Sequence, residues 1–187
     1  VHRCAVDLNR EENMSVLWWE KNTQGITLTT QKPDDLFKQK CLETYYRPYY
    51  KKLQEIAHEF QEAKPFPAID LHSMPSKPTA YHLQQTPHQA QERPDFCLSD
   101  IEGTSCSPSY IHFIAEHLKS YAYNVSINNP YKGGNVTLTM KKMQWQSCQI
   151  EIKRSLYMDE KKKELQFNTQ TIELKNHLTE LFLKLFL

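Results

Sequence analysis

Asp70-Leu71-His72-Ser73 sets a carboxylate and an imidazole two residues apart at the end of a short apolar run. In a strand that spacing puts both side chains on one face. The C-terminal end of a buried strand is where ligands sit in open α/β sheets. A neutral His72 there can ligate zinc, with Asp70 orienting its ring. The ordinary alternative is a histidine hydrogen-bonded at a strand end, and one imidazole is not a metal site. Glu151 lies in Cys148-Gln149-Ile150-Glu151-Ile152, where a period of two gives Cys148, Ile150 and Ile152 one face and Glu151 the other. A carboxylate in a buried β-branched strand has its pKa raised and suits general-base work. The alternative is a surface Glu beside Lys153. In Asp7-Leu8-Asn9-Arg10, adjacent Asn9 and Arg10 can fork onto a substrate carboxylate, or serve as a capping Asn and a solvated Arg. Asn129-Pro130-Tyr131-Lys132-Gly133-Gly134 supplies a cationic turn with Lys132 available to an anion.

Other polar clusters read as structural. Tyr45, Tyr46, Tyr49 and Tyr50 repeat at helical spacing and belong to packing, and Lys161-Lys162-Lys163 is a solvated charge run. His2, His58, His82, His88, His112, His117 and His177 show no H-E-x-x-H or related spacing and are read as structural or surface residues.

The elements that must position these groups follow from pattern. Val1, Arg3, Ala5 and Asp7 alternate with His2, Cys4, Val6 and Leu8, which predicts an opening strand. A domain rarely opens on a core strand, so the chain reads as part of a longer protein. After a polar loop with Trp18 and Trp19, Pro33-Asp34-Asp35 starts a helix, and apolar residues from Leu36 to Glu62 keep helical period, with a break expected at Pro48 near Arg47. Phe66 to Leu71 predicts a buried strand ending on His72. Ser73 to Asp100, with Pro75, Pro78, Pro87 and Pro94, reads as a long functional loop. Ser107 caps a helix that Pro108 opens, running to about Tyr123. Val125–Asn128, Val136–Met140 and Cys148–Ile152 read as strands, Gly133-Gly134 as the turn between the first two, and Ile172 to Leu185 as a packing helix. The sum is one α/β domain over 1–187, a mixed β-sheet flanked by helices.

Composition narrows the function. The 187 residues are 39% hydrophobic and 24% charged, as suits a globular chain. Lys+Arg of 23 against Asp+Glu of 22 leaves a formal +1, so no bulk field draws the chain to nucleic acid or to anionic lipid. No phosphate-cradling glycine motif and no membrane-length apolar run occurs. Five cysteines without C-x-x-C read as free thiols and favour a cytoplasmic location.

Taken in order, V-H-R-C-A-V-D-L-N-R, R-P-Y-Y, D-L-H-S-M-P-S, G-T-S-C, N-N-P-Y-K-G-G and I-E-I-K-R-S-L-Y-M-D-E resemble the N-formylglutamate amidohydrolase family, from Val1 to about Glu160. D-L-N-R and D-L-H also resemble pieces of aspartoacylase and the zinc carboxypeptidases. The resemblance implies a zinc-exopeptidase (phosphorylase/hydrolase-like) fold and one zinc ion. It implies His72 as a metal ligand, Asp70 behind it, and Glu151 as the general base acting on the attacking water. Asn9 and Arg10 would hold the substrate carboxylate, with Arg154 and Lys132 as weaker candidates for a second carboxylate or the oxyanion. Arg3 resembles a further substrate arginine, one residue out of register. The implied partner is a small acidic N-acyl amino acid, N-formyl-L-glutamate being the family's namesake, and the implied assembly a monomer or homodimer.

One departure stands out. Family members carry a P-H-[SA]-G segment and an acidic D-x-D segment ahead of the matched region, and neither occurs in this chain. With His72 alone a catalytic zinc site of about three protein ligands cannot form. The expectation is therefore either a longer protein with those ligands or an inactive one. Another N-acyl amino acid as substrate, or a metal-free binding domain, stand as alternatives.

Overall fold

The structure, a computed structural model, describes residues 3–13, 17–60, 67–88 and 91–187. Val1 and His2 of the expected first strand, the helix end at Glu62 and the strand start at Phe66 lie outside the described residues.

The first long helical stretch runs from Asp35 to Glu59 in three parts. Helix α1 (Asp35–Cys41) begins under Asp34, whose side chain accepts the Phe37 N–H at 2.7 Å. Leu42–Tyr46 is a π turn, and α2 (Arg47–Glu59) follows it directly. Pro48 has no N–H to return to the preceding turn. The expected break is thus absorbed as a wider turn just before the proline.

Four strands make a mixed sheet in the order β1-β4-β2-β3: β1 (Pro67–Met74), β2 (Phe96–Ser99), β3 (Val125–Ile127) and β4 (Gln146–Lys153). β4 lies parallel to β1, with His72 opposite Glu151, and antiparallel to β2, with Cys97 opposite Glu151. β2 and β3 are parallel. Helices α3 (Ala80–Gln85), α4 (Pro108–Lys119), α5 (Asn135–Lys142) and α6 (Thr169–Phe186) complete the chain, with a short hairpin of β5 (Met158–Asp159) and β6 (Glu164–Leu165).

The alternation of β1 and β4 sorts the sheet into two faces. Phe96, Leu98, Cys148, Ile150 and Ile152 pack against Ile111, Ile114 and Leu118 of α4 and Leu174 and Leu181 of α6. Full burial of each large side chain contributes about 1.5–3 kcal/mol. On the opposite face Ala68 meets Ala57 of α2 and Val136 and Met140 of α5. A third cluster, Val6, Leu17, Cys41 and Tyr46, fastens the N-terminal segment to the first helices. Among the described residues no helix is long and apolar enough to cross a membrane.

Three expectations are corrected. Residues 3–5 form turns rather than a strand, and the chain closes on itself through Asp7 N–H to Leu17 O at 3.0 Å and Arg10 N–H to Asp7 O at 3.2 Å. Its alternation arises because Val6 enters the third cluster while Asp7 faces polar partners. Val136–Met140 is helical: Val136 and Met140, four apart, share one buried face against Ala68, which outweighs the β-branched composition. Finally, the segment read as one loop, Ser73–Asp100, contains the end of β1, α3 and all of β2. The four residues of β2 are all buried, and β4 and β3 supply its partners. Four prolines ahead of it hid a strand too short to show a period.

Candidate functional site

The face of the sheet not claimed by α4 and α6 is polar at one end. Because β1 and β4 run in register, Asp70 lies beside Gln149 and His72 beside Glu151, while Ser99 and Cys97 of β2 continue the two rows. The alternation that buries Ile150 and Ile152 forces these side chains to the other side. A cavity of about 540 Å³ is lined by Asp70, His72, Gln149 and Glu151, and also by Asn9, Arg10, Lys132 and Arg154. Every residue singled out in the sequence for chemistry therefore borders one cavity.

His72 Nε2 and Asp70 Oδ1 are 2.8 Å apart, and Asp70 Oδ2 accepts the Thr137 hydroxyl at 3.1 Å, so Asp70 is held from behind and in turn holds the ring. Burial disfavours the imidazolium, but the hydrogen bond and charge of Asp70, with Glu151 adding to them, outweigh it and raise the His72 pKa. Glu151 is 7% exposed, which removes the surface-facing alternative. Burial raises its pKa, partly offset by the charge of His72. Its Oε1 accepts the Gln149 Nε2 hydrogen at 3.0 Å. The far end of that carboxamide, Gln149 Oε1, is buried with no hydrogen-bond partner among the described residues.

The N-terminal segment reaches the cavity through Asp7, 3% exposed. Its Oδ2 accepts from Arg3 and, at 2.9 Å, from Trp19 Nε1; its Oδ1 accepts the Asn9 N–H at 3.1 Å; Arg10 Nε lies 3.7 Å from Oδ2. The Arg3 guanidinium also lies 4.9 Å over the Trp19 ring. Asp7 thus gathers two arginines, and Arg10 Nε has no hydrogen-bond partner among the described residues. Asn9 is more committed than a free fork. Its Oδ1 accepts the Val136 N–H at 2.9 Å and its Nδ2 lies 3.4 Å from His72 Nε2. The residue before α5 is Gly134, which has no side chain to cap the helix, and Asn9 does so from elsewhere in the chain. A Cβ on Gly134 would lie 2.2 Å from Asn9 Nδ2, so glycine is what allows the approach.

The remaining predicted residues are placed less centrally. Arg154 donates from Nε to Ser73 Oγ at 3.3 Å. Lys132 Nζ pairs with Glu102 Oε1 at 2.6 Å, both exposed, at the rim. The sequence reading missed Asp7, Gln149 and a group at the wall, His82 and Tyr131 with the buried Arg93 donating to Tyr131. Period-two alternation from Glu151 would have found Gln149. His82 and Arg93 sit in the segment read as loop and carried no signal.

Catalytic zinc takes about three protein ligands and keeps one position open. Among the described residues no group of three His, Cys, Asp or Glu side chains is arranged to hold a metal ion, and the cavity's lining holds two imidazoles, His72 beside Glu151 and His82. The described residues therefore do not by themselves make a zinc site.

A solved N-formylglutamate amidohydrolase from Ralstonia eutropha is similar to this chain at 27% identity, with a TM-score of 0.80 over 97% of this chain and 72% of its own. A protein of Agrobacterium tumefaciens, at 16% identity, has a TM-score of 0.64 over 97% of this chain and 65% of its own, so this chain spans less than two thirds of its length; that likeness concerns the fold alone. No protein with a curated description matches the chain. The family model described as N-formylglutamate amidohydrolase matches residues 1–158, a span that takes in every residue bordering the cavity. The chain belongs to the N-formylglutamate amidohydrolase family.

Proposed function

We propose that this chain carries the base and anion-binding groups of a hydrolase that splits the amide of N-formyl-L-glutamate into formate and glutamate, a step of histidine breakdown in the cytoplasm. The observation that supports it most is the His72–Glu151 pair on neighbouring strands at the floor of a cavity with Arg10 on its wall. Family membership supplies the substrate class. In this reading Glu151 takes a proton from the attacking water and passes it to the leaving nitrogen, a role its burial suits by lifting its pKa. Arg10, turned by Asp7, binds a substrate carboxylate with Asn9 beside it, and Arg154 and Lys132 serve the second carboxylate.

One zinc ion is the proposed cofactor, with His72 among its ligands, Asp70 orienting His72, and the other ligands drawn from outside the described residues. Held there by His72 and those further ligands, zinc would supply Lewis acidity toward a water and the amide carbonyl. The fold would then be of the zinc-exopeptidase type. The partner is a small acidic N-acyl amino acid, with no role for nucleic acid or membrane.

The test is formate release from N-formyl-L-glutamate by the complete protein, with its zinc measured by elemental analysis. About one zinc per chain and hydrolysis that Glu151→Gln removes are the expected results. Zinc-free protein that hydrolyses nothing would leave a metal-free binding domain. A second reading, another N-acyl amino acid as substrate, is favoured by the segment after β1: Pro75, Tyr81 and His82 border the cavity and shape its volume. Comparing formyl, acetyl and longer acyl groups separates the two readings.

A further inference from the structure

Tyr131, on the cavity wall, has its phenol oxygen facing two donors. Arg93 NH1 donates to it, and the Arg93 guanidinium also lies 4.9 Å over the ring. The second neighbour is His82 Nε2, at 3.2 Å. The His82 tautomer follows from its other nitrogen. Nδ1 accepts the Thr79 backbone N–H at 3.2 Å and lies 2.7 Å from the Thr79 hydroxyl, so it carries no proton. In a neutral ring the proton is then on Nε2 and is donated to Tyr131. Burial and the charges of Arg93 and Arg154 favour that neutral ring by lowering the His82 pKa.

Both acceptor positions of the phenol are therefore filled, one by a cation. Its own hydrogen has no acceptor among the described residues and is left to the cavity that Tyr131 lines. A hydroxyl receiving two hydrogen bonds, one from a guanidinium, is a strengthened donor, and an anionic oxygen is its best acceptor. The Tyr131 backbone is also tied to the sheet beside Glu151. The Tyr131 carbonyl accepts the Ser99 hydroxyl at 2.8 Å, and Ser99 belongs to β2, the strand next to Glu151 on the side away from His72.

We infer that Tyr131 is a substrate-contacting residue whose O–H donates a hydrogen bond to the carbonyl oxygen of the scissile amide as that oxygen becomes anionic, with Arg93 and His82 as its positioning residues. No proton changes hands in this role; the bond strengthens as the negative charge grows. The inference rests on the amide-hydrolase reading above.

The test uses the complete protein and N-formyl-L-glutamate. Tyr131→Phe removes the hydroxyl and keeps the ring. The expected result is a kcat lower by about 100-fold with KM within about threefold. Because this change also strips Arg93 and His82 of their acceptor, a second series keeps the hydroxyl: 3-fluorotyrosine and 3,5-difluorotyrosine at position 131. There kcat should rise with the acidity of the phenol while KM stays level. Unchanged kcat in the Phe variant, a flat response in the fluorinated series, or a rise in KM without loss of kcat would each overturn the inference, the last by assigning Tyr131 to a ground-state carboxylate. A wild-type protein that turns over no N-acyl amino acid would overturn the hydrolase reading first and this inference with it.

Discussion

On one face of β4, Cys148, Ile150 and Ile152 pack among Phe96, Leu98 and the α4 and α6 side chains; on the other, Ser147, Gln149 and Glu151 are nearly as deeply buried, none more than 7% exposed. The two faces share a backbone and differ in what meets them. The apolar face is closed by packing. The polar face is closed by hydrogen bonds at Ser147, whose hydroxyl donates to Thr137 O at 3.0 Å, and is left incomplete at Gln149 Oε1, where, beside Glu151, the cavity begins. Burial alone thus marks neither core nor site; the difference lies in whether the buried groups have completed their partnerships.

Changes on the two faces should therefore separate activity from stability. Glu151→Gln should lower kcat by about 100- to 10,000-fold while leaving the folded structure intact, read by formate release and by circular dichroism. Ile150→Ala should do the reverse, destabilising by about 2–5 kcal/mol in urea unfolding with activity per folded molecule retained. Loss of activity in proportion to folding in both variants would erase the distinction. Within the polar face, Arg10→Ala should raise KM about tenfold or more, as loss of a charge-assisted bond predicts. Lys132→Ala, which removes an exposed and solvent-screened contact to the second carboxylate and an exposed pair with Glu102, should raise KM by only about two- to fivefold and change stability by less than about 1 kcal/mol.

The smallest effect is a pH dependence. Burial raises the Glu151 pKa above the ordinary carboxyl value of 4.5 that the unfolded chain retains. Between those two values the folded protein holds a proton that the unfolded chain has lost, so this group's contribution falls as pH rises through the window. Below the window the contribution is fully present. Glu151→Gln removes the dependence, and its melting midpoint should exceed that of the parent at pH 7 and converge with it near pH 4. A gap that widens on acidification would contradict the sign.

What could be read from the sequence divides along the same line. Period two in β4 put Glu151 opposite Ile150, because that strand alternates over several residues between two differently packed faces; the apolar run before His72 gave β1 as a strand but not its burial, since β1 lies at the sheet edge with Leu71 51% exposed. Ser107-Pro108 gave the start of α4, since capping is local chemistry. Where local signals ran against tertiary contacts they misled. Val136-Thr137-Leu138-Thr139 favours a strand by composition, and the helix there depends on Asn9, far away in the chain, taking up the Val136 N–H. Asn9 and Arg10 could be picked out by type, but Asp7's part in gathering Arg3, Arg10 and Trp19 needed the folded loop. Tyr131 with His82 and Arg93 brings together a turn and a segment read as loop, and residue spacing carries no trace of such a meeting.

The order of the sheet has a consequence for how the protein is made. β4 is the last of the four strands in the chain yet lies between β1 and β2. As the chain leaves the ribosome, β1 waits without its partner and β2 has only the three-residue β3 beside it, with Phe96 and Leu98 lacking Ile150 and Ile152 to pack on. Non-local pairing of this kind is slow, and waiting strands associate with other chains. Production of the protein should accordingly respond to conditions that slow synthesis or occupy nascent strands, with cooling and added chaperone raising the yield of folded material.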